Sequence, residues 1–211
     1  MTKRETAPVG APCWVDLWTS DVEGSRLFYA ELFGWVAEDP SPEHGATVQA
    51  PAMPVDDLGV QAVLTDPQGL VIGVWQPGSF PGFTVINEHG APIFFAFDTY
   101  DYAGAVEFYR QAFGWAPLEE ATEDGHHYAG YMDPETDRPL AGIGDEVENL
   151  AEDEGPAWSV FWQSDDIDAS VEMVLALGGT VLAAPEDRGL GRVARVADPA
   201  GARFWLCKPK R

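Results

Sequence analysis

The sequence predicts an α+β protein assembled from copies of one strand-helix-strand-strand-strand unit, and three observations carry that prediction. The stretch from Ala11-Pro12-Cys13-Trp14-Val15-Asp16-Leu17 through Phe28-Tyr29-Ala30-Glu31-Leu32-Phe33-Gly34-Trp35 recurs eighty positions later, as Ala91-Pro92-Ile93-Phe94-Phe95-Ala96-Phe97 through Phe108-Tyr109-Arg110-Gln111-Ala112-Phe113-Gly114-Trp115. Pro156-Ala157-Trp158-Ser159-Val160-Phe161-Trp162 opens a third, more divergent copy. Asp66-Pro67-Gln68-Gly69 and Asp198-Pro199-Ala200-Gly201 each separate two apolar runs, which is the pattern of a hairpin turn.

Taken in order, each copy begins with a short apolar strand, then an aspartate, then an amphipathic helix. Asp21, Asp101 and Asp166 are the predicted N-caps, because a short carboxylate accepts the orphan amides of the first turn. In the first copy Val22, Phe28, Tyr29, Leu32 and Phe33 fall on one helical face. Gly34 and Gly114 fit the left-handed position that ends a helix, and Gly178-Gly179 ends the third. The back of each unit is paired strands. Leu58-Gly59 through Ile72 echoes Leu190-Gly191 through Phe204, and the second copy places its last strands at His127 to Met132 and Pro139 to Ile143.

Spacing separates the copies. Asp101 and Asp133 are 32 positions apart, as are Asp166 and Asp198, whereas Asp21 and Asp66 are 45 apart. The front of the first copy resembles copy two, and its back, from Gly45-Ala46-Thr47-Val48 onward, resembles copy three, as if two half-units were fused with the material between them missing. The expected organisation is therefore a shortened single module at 11–76, a connector at 77–90 and a complete paired module at 91–208. The acidic stretch from Asp145 to Glu154 separates copies two and three and reads as a solvated loop.

Composition narrows the function classes. Among 211 residues, Asp and Glu outnumber Lys and Arg 35 to 12, and such a surface repels phosphate backbones, so nucleic acid is not an expected partner. No apolar run approaches the ~20 residues that cross a bilayer, and the first residues lack the apolar core of a signal peptide, so the expectation is a cytoplasmic protein without a membrane partner. Cys13 and Cys207 sit in apolar runs and read as buried free thiols.

The helix ending Phe-Tyr-x-x-x-Phe-Gly-Trp, the Gly-Gly-Thr-Val strand start and the Asp-Pro-x-Gly hairpin together resemble the vicinal-oxygen-chelate superfamily of glyoxalases, ring-cleaving dioxygenases and bleomycin-resistance proteins. The resemblance spans nearly the whole chain. It implies two βαβββ units side by side in a curved sheet, with helices on the convex face and a ligand cup on the concave one. Metal-poor relatives with two modules carry four such units, and this chain has three. A lone unit leaves an unpaired strand edge and an uncovered apolar face, so the expectation is a homodimer that pairs two N-terminal units.

Strand alternation sorts side chains between the faces. Phe95 and Phe97 oppose Phe94, Ala96 and Asp98; Val160 and Trp162 oppose Ser159, Phe161 and Gln163; Phe204 and Leu206 oppose Arg203, Trp205 and Cys207. The uniformly apolar set is expected under the helices and the mixed set in the cup, with Trp14, Asp16 and Trp18 in the first copy. Where the resemblance puts metal ligands, this chain has Phe94, Ser159 and Trp205, none a normal divalent-ion ligand, so no metal and no cofactor is expected. His126 and His127 are adjacent on a strand and point to opposite faces, and His44 and His89 lie without partners at ligand spacing.

No nucleophile elbow, phosphate-binding glycine loop or Cys-x-x-Cys pair occurs. The expected ligand-binding residues are Phe94, Ser159, Phe161, Gln163 and Trp205. The candidate acid-base groups are Asp98, His127, Tyr131 and Arg203, because metal-free proton transfer or oxyanion stabilisation needs such groups facing the ligand. Three readings stand: a metal-independent protein that sequesters an aromatic or cationic small molecule; a metal-free lyase, isomerase or hydrolase-like enzyme; and an interaction scaffold with a degenerate cup.

Overall fold

The computed structural model describes residues 7–17, 19, 21–35, 52–115, 118–121, 126–133, 138–145 and 155–210. Trp18, His44, the 45–48 stretch and most of the acidic separator lie outside the described residues.

The second and third copies form one curved eight-stranded sheet. Copy two contributes β4 (Pro92–Asp98), α2 (Tyr102–Phe113), β5 (Leu118–Ala121), β6 (His127–Met132) and β7 (Pro139–Gly144). Copy three contributes β8 (Ala157–Gln163), α3 (Ile167–Ala176), β9 (Thr180–Asp187), β10 (Gly191–Ala197) and β11 (Arg203–Pro209). Their order is β5-β6-β7-β4-β8-β11-β10-β9. Each first strand runs parallel to the last strand of its own unit, and the two first strands meet antiparallel, Phe95 opposite Val160. That junction relates the units by a local two-fold, so both present the same face to the same side.

The alternation holds on the helix side. Phe95, Phe97, Ala129, Ala141 and Ile143 pack with Ala105, Val106 and Tyr109 of α2, while Trp162, Ala194, Val196, Phe204 and Leu206 pack with Ile167, Val171 and Val174 of α3. Each large apolar side chain so buried stabilises the fold by roughly 1.5–3 kcal/mol. The N-caps are as expected: Asp21, Asp101 and Asp166 accept from the amides of Gly24, Gly104 and Ala169 at 2.9, 3.0 and 3.1 Å. Gly34 and Gly114 close the first two helices in the left-handed conformation.

The N-terminal segment departs from expectation. Its helix α1 (Val22–Phe33) and its sheet, β1 (Met53–Val55), β2 (Gly59–Thr65) and β3 (Val71–Pro77), do not pack into one lone unit. Instead α1 lies beside α3, with Phe28, Leu32 and Phe33 in the core of copy three, while Leu70 and Ile72 reach the core under α2. The same segment thus covers both halves of the large sheet. Val22, expected on the buried face, is 52% exposed. Residues 11–17, expected as a strand, form no ladder: Cys13 accepts one backbone bond, from Phe83, and Trp14 stacks on Trp75 with ring centroids 5.9 Å apart.

Candidate functional site

The concave face carries a run of aromatic side chains across its centre. Phe94 on β4 meets Phe161 on β8 edge-on at 5.6 Å, and Phe161 stacks on Trp205 of β11 at 5.3 Å with an interplanar angle of 2°. Strand register dictates the stack, because Trp205 and Phe161 are direct partners on parallel strands and project to the same side. Ile93, Val193 and Cys207 complete this cluster, with Ala96, Tyr128 and Leu190 against it. The Tyr128 ring lies over Gly142, where any Cβ would strike it.

Of the expected ligand-binding residues, Phe94, Phe161 and Trp205 come together in this cluster. Ser159 is buried two positions before Phe161, and Gln163 ends β8, where its backbone bonds Gly90 and Ala91. Asp98 is buried at the far end of β4, and Arg203 is exposed at the start of β11, with β8 between the two strands.

The other two acid-base candidates need correction. Residues 127, 129 and 131 share one face of β6, and Ala129 is buried under α2, so His127 and Tyr131 belong to the helix side. Tyr131 stacks on Trp115 at 4.8 Å. The His127 ring packs near Tyr102 of α2, and its Nδ1 lies 2.8 Å from Asp145 Oδ2. Burial pushes the Asp145 carboxyl up, but bonds from the His127 ring and backbone outweigh it and hold the group below the usual carboxylate range. The residue of β6 that faces the cup is Tyr128.

Two arginines were not among the expected residues. Arg195 of β10 is directly opposite Trp205 and shares the concave face with Val193, while Ala194 and Val196 lie in the core beneath α3. It is only 8% exposed, and its guanidinium carbon is 5.9 Å from the Trp205 ring centroid. Arg188, in the β9–β10 turn, sits over the same ring at 4.9 Å and bonds Glu186 at 2.5 Å. The signal was present in the sequence, since applying the same alternation to Arg192-Val193-Ala194-Arg195 puts the two arginines on opposite faces. Arg192 bonds Asp168 of α3 at 2.8 Å.

The positions at which the resemblance expects metal ligands do not fit a divalent ion. Phe94 and Trp205 offer rings locked into stacking contacts, and Ser159 alone supplies an oxygen. Among the described residues no three His, Cys, Asp or Glu side chains group as a metal site. Cys207 is buried in the cup floor, and burial pushes its thiol up to about 11, so it is a neutral packing group near pH 7. On the opposite side of the large sheet, a groove beside α1 is lined by Leu17, Val22, Arg26, Tyr29 and Trp35. No helix among the described residues is long and apolar enough to cross a membrane.

Comparison with known proteins identifies the family of the chain. Residues 94–207 match the glyoxalase-like domain family. "Putative glyoxylase CFP32" of Mycobacterium tuberculosis is 27% identical over 272 aligned positions, covering 99% of this chain and 98% of that protein. The anthracycline biosynthesis protein DauV of Streptomyces sp. strain C5 is 30% identical over 260 positions, covering 92% of each. Among solved structures, methylmalonyl-CoA epimerase from Mycobacterium tuberculosis aligns with a TM-score of 0.43 and 18% identity, over 57% of this chain and 88% of that one. An alignment of 272 positions against 211 residues leaves about sixty positions of the mycobacterial relative without a counterpart here. One unit of this chain occupies 65 positions, from Ala91 to Gly155, so the shortfall matches one unit in size. The chain belongs to the glyoxalase-like domain family.

Proposed function

We propose that residues 91–208 bind a small organic molecule with a flat, conjugated portion on the concave face, without a metal ion, in the cytoplasm. The observation that carries this reading is the Phe94–Phe161–Trp205 run, in which two rings already stack with near-parallel planes. Each stacking contact stabilises a complex by about 0.5–1.5 kcal/mol beyond its buried area, so three rings alone give weak binding and polar groups must add the rest. The relative named for anthracycline biosynthesis supports a flat ligand class, because anthracyclines are fused-ring aromatic compounds. The test is a thermal-shift and tryptophan-quenching screen with naphthalene-sized and larger planar compounds. Binding that weakens at least about fivefold in Phe161→Ala supports the reading. A panel in which no compound raises the melting temperature overturns it.

A second reading, a metal-free lyase or isomerase, is favoured by one observation: Asp98 is a buried carboxylate on the ligand-facing side. Turnover that disappears in Asp98→Asn while ligand affinity survives would select it. For assembly, exposed apolar side chains in the N-terminal segment, among them Trp14, Leu64 and Val71, support a homodimer. Sedimentation of a monomer at micromolar concentration would remove that part.

A further inference from the structure

The indole at the centre of the cup is buried although its strand presents it to the concave side. Trp205 is only 2% exposed. Phe161 covers it from β8, while the guanidiniums of Arg195 and Arg188 come from β10 and the turn before it, 5.9 and 4.9 Å from the ring centroid. Arg188 is the closer of the two, and no sheet carries it. Leu190, from the same turn, packs against the cluster that holds Phe94, Trp205 and Cys207. The β9–β10 turn therefore folds inward over the ring.

The tip of this hairpin is tied chiefly to itself. Arg188 and Gly191 exchange both backbone bonds, at 2.8 and 3.2 Å, closing a two-residue loop of Gly189 and Leu190, and Glu186 Oε1 takes the Arg188 guanidinium at 2.5 Å. The Asp66 and Asp198 turns differ, since their carboxylates reach tyrosines on distant helices. Behind the tip the ladder is broken: Glu186 faces Val193 and Ala183 faces Arg195, so Ala184 and Pro185 together oppose Ala194 alone. Such a bulge bends an edge strand, and proline brings no amide to the pairing. Glu186 to Leu190 is thus set off from the rest of β9, which is itself the last strand of the sheet.

Sizes decide what a ligand meets here. Non-bonded carbons settle about 3.5–4.0 Å apart, so a flat ring between guanidinium and indole needs about 7–8 Å, and a separation of 4.9 Å holds none. We infer that the β9–β10 tip is a lid with Arg188 as its latch: in this closed form Arg188 occupies the side of the indole that a flat ligand takes, and binding lifts Glu186 to Leu190 about the Pro185 bulge. The inference rests on the proposed flat-ligand site and adds control of access to it. Arg188 is held by Glu186, by the ring and by a further interaction, and that engagement is what closes the site. The latch also selects, because only a ring system that stacks on Trp205 better than the guanidinium does displaces it.

The seal is tested first without a ligand. In protein labelled with 5-fluorotryptophan, the fluorine resonance absent from Trp205→Phe identifies Trp205, and its shift between H2O and D2O reports solvent contact. The wild-type resonance is expected to show no such shift and the Arg188→Ala resonance a clear one. Arg188 stands on a partly exposed turn, so its variant keeps the fold. A Trp205 resonance that stays insensitive in Arg188→Ala overturns the lid. Calorimetric titration with 2-naphthol then tests the latch: binding to Arg188→Ala is expected to be about two- to tenfold tighter than to the wild type, since a cation–π contact no longer has to be broken. Weaker binding to Arg188→Ala makes Arg188 a ligand contact and overturns the latch. Exposure gained in Arg188→Ala with naphthol bound by neither protein upholds the seal and overturns the flat-ligand reading, so the two fail separately.

Discussion

Residues 10–35 and 90–115 carry the same motif, and their secondary structure differs in one element only. Both motifs build a twelve-residue helix, capped by an aspartate and closed by a left-handed glycine. Both then send a tryptophan to the other: Trp35 Nε1 donates to the carbonyl of Gly90 at 2.7 Å, and Trp115 Nε1 donates to that of Gly10 at 2.8 Å. The tyrosines cross as well. Tyr29 bonds Asp198 of copy three at 3.2 Å, and Tyr109 lies 3.5 Å from Asp66 of the first copy's hairpin. The strands diverge, since 92–98 is buried and paired on both sides whereas 11–17 pairs with neither. A helix with its caps is encoded locally, while a strand exists only where a neighbour offers an edge to pair with.

The sharpest way to break this comparison is to remove the turn aspartates. Asp198 Oδ1 accepts from the amides of Ala200 and Ala202 at 2.9 and 2.8 Å while Oδ2 takes the Tyr29 hydroxyl, and the carboxylate is buried although the turn it braces reaches solvent. Asp66 makes the same set with Gln68, Leu70 and Tyr109. Asp198→Ala is expected to cost about 2–4 kcal/mol in denaturant unfolding, because two amides and a hydroxyl lose one buried carboxylate acceptor together. Asp66→Ala should cost about half as much globally and appear mainly as faster hydrogen exchange in 59–77, since the small sheet stands outside the eight-stranded core. Equal global losses would mean that the small sheet unfolds with the rest.

Next in size are the glycines that receive the tryptophans. Both have positive φ, 80° at Gly10 and 75° at Gly90, and each lies against a helix end. A Cβ on Gly90 would meet the Phe33 carbonyl oxygen at 2.9 Å, and one on Gly10 the Phe113 oxygen at 2.5 Å. Alanine at either position should cost about 1–3 kcal/mol through left-handed strain and the clash. Gly90→Ala should be the more severe despite its longer contact. Gly90 is buried and tied to Gln163, whereas Gly10 adjoins an exposed residue and can shift. The reverse order in thermal melts would assign the N-terminal contact the greater rigidity.

What was legible in the sequence follows the same division. Helices, caps, the Asp-Pro turns and the faces of β4, β8 and β11 could be read, because period and turn chemistry are local properties of a few residues. The path of the N-terminal segment could not. Nothing within Val22 to Phe33 says that its apolar face meets α3 rather than its own strands, since both partners offer the same aliphatic surface. In the site, Phe94, Phe161 and Trp205 emerged from simple alternation. His127 and Tyr131 were misplaced because β6 was credited with the polar face without that count, and Arg195 was overlooked because β10 was not counted at all.

A smaller effect sharpens the parity of the two caps. Asp21 and Asp101 hold the amides of Gly24 and Gly104 at nearly identical distances, so each replaced by alanine should cost about 1 kcal/mol, and the two should agree within about 0.5 kcal/mol. A much larger loss for one would show that its helix is held by more than its local motif.

The smallest expected effect contrasts the two cysteines, one in each region. Cys207 is fully buried in the cup floor, and Cys13 is partly exposed beside the first motif. Burial raises both thiols, Cys207 from 9.0 to about 11. The folded chain therefore holds the Cys207 proton over a range in which the unfolded chain has released it, so the contribution is intact below about pH 9 and is lost as pH rises toward about 11. Tyr109, pushed up to about 12 chiefly by burial, extends the same slope to higher pH. Denaturation midpoints followed upward from about pH 8 should fall, and Cys207→Ala should flatten the first part of that fall while Cys13→Ala changes it less. In the native protein near neutral pH an aromatic disulfide reagent should modify Cys13 alone, because a thiol without solvent contact offers neither access nor thiolate. Prompt reaction of Cys207 would mean that the cup floor opens to solvent, and the aromatic stack above it with it.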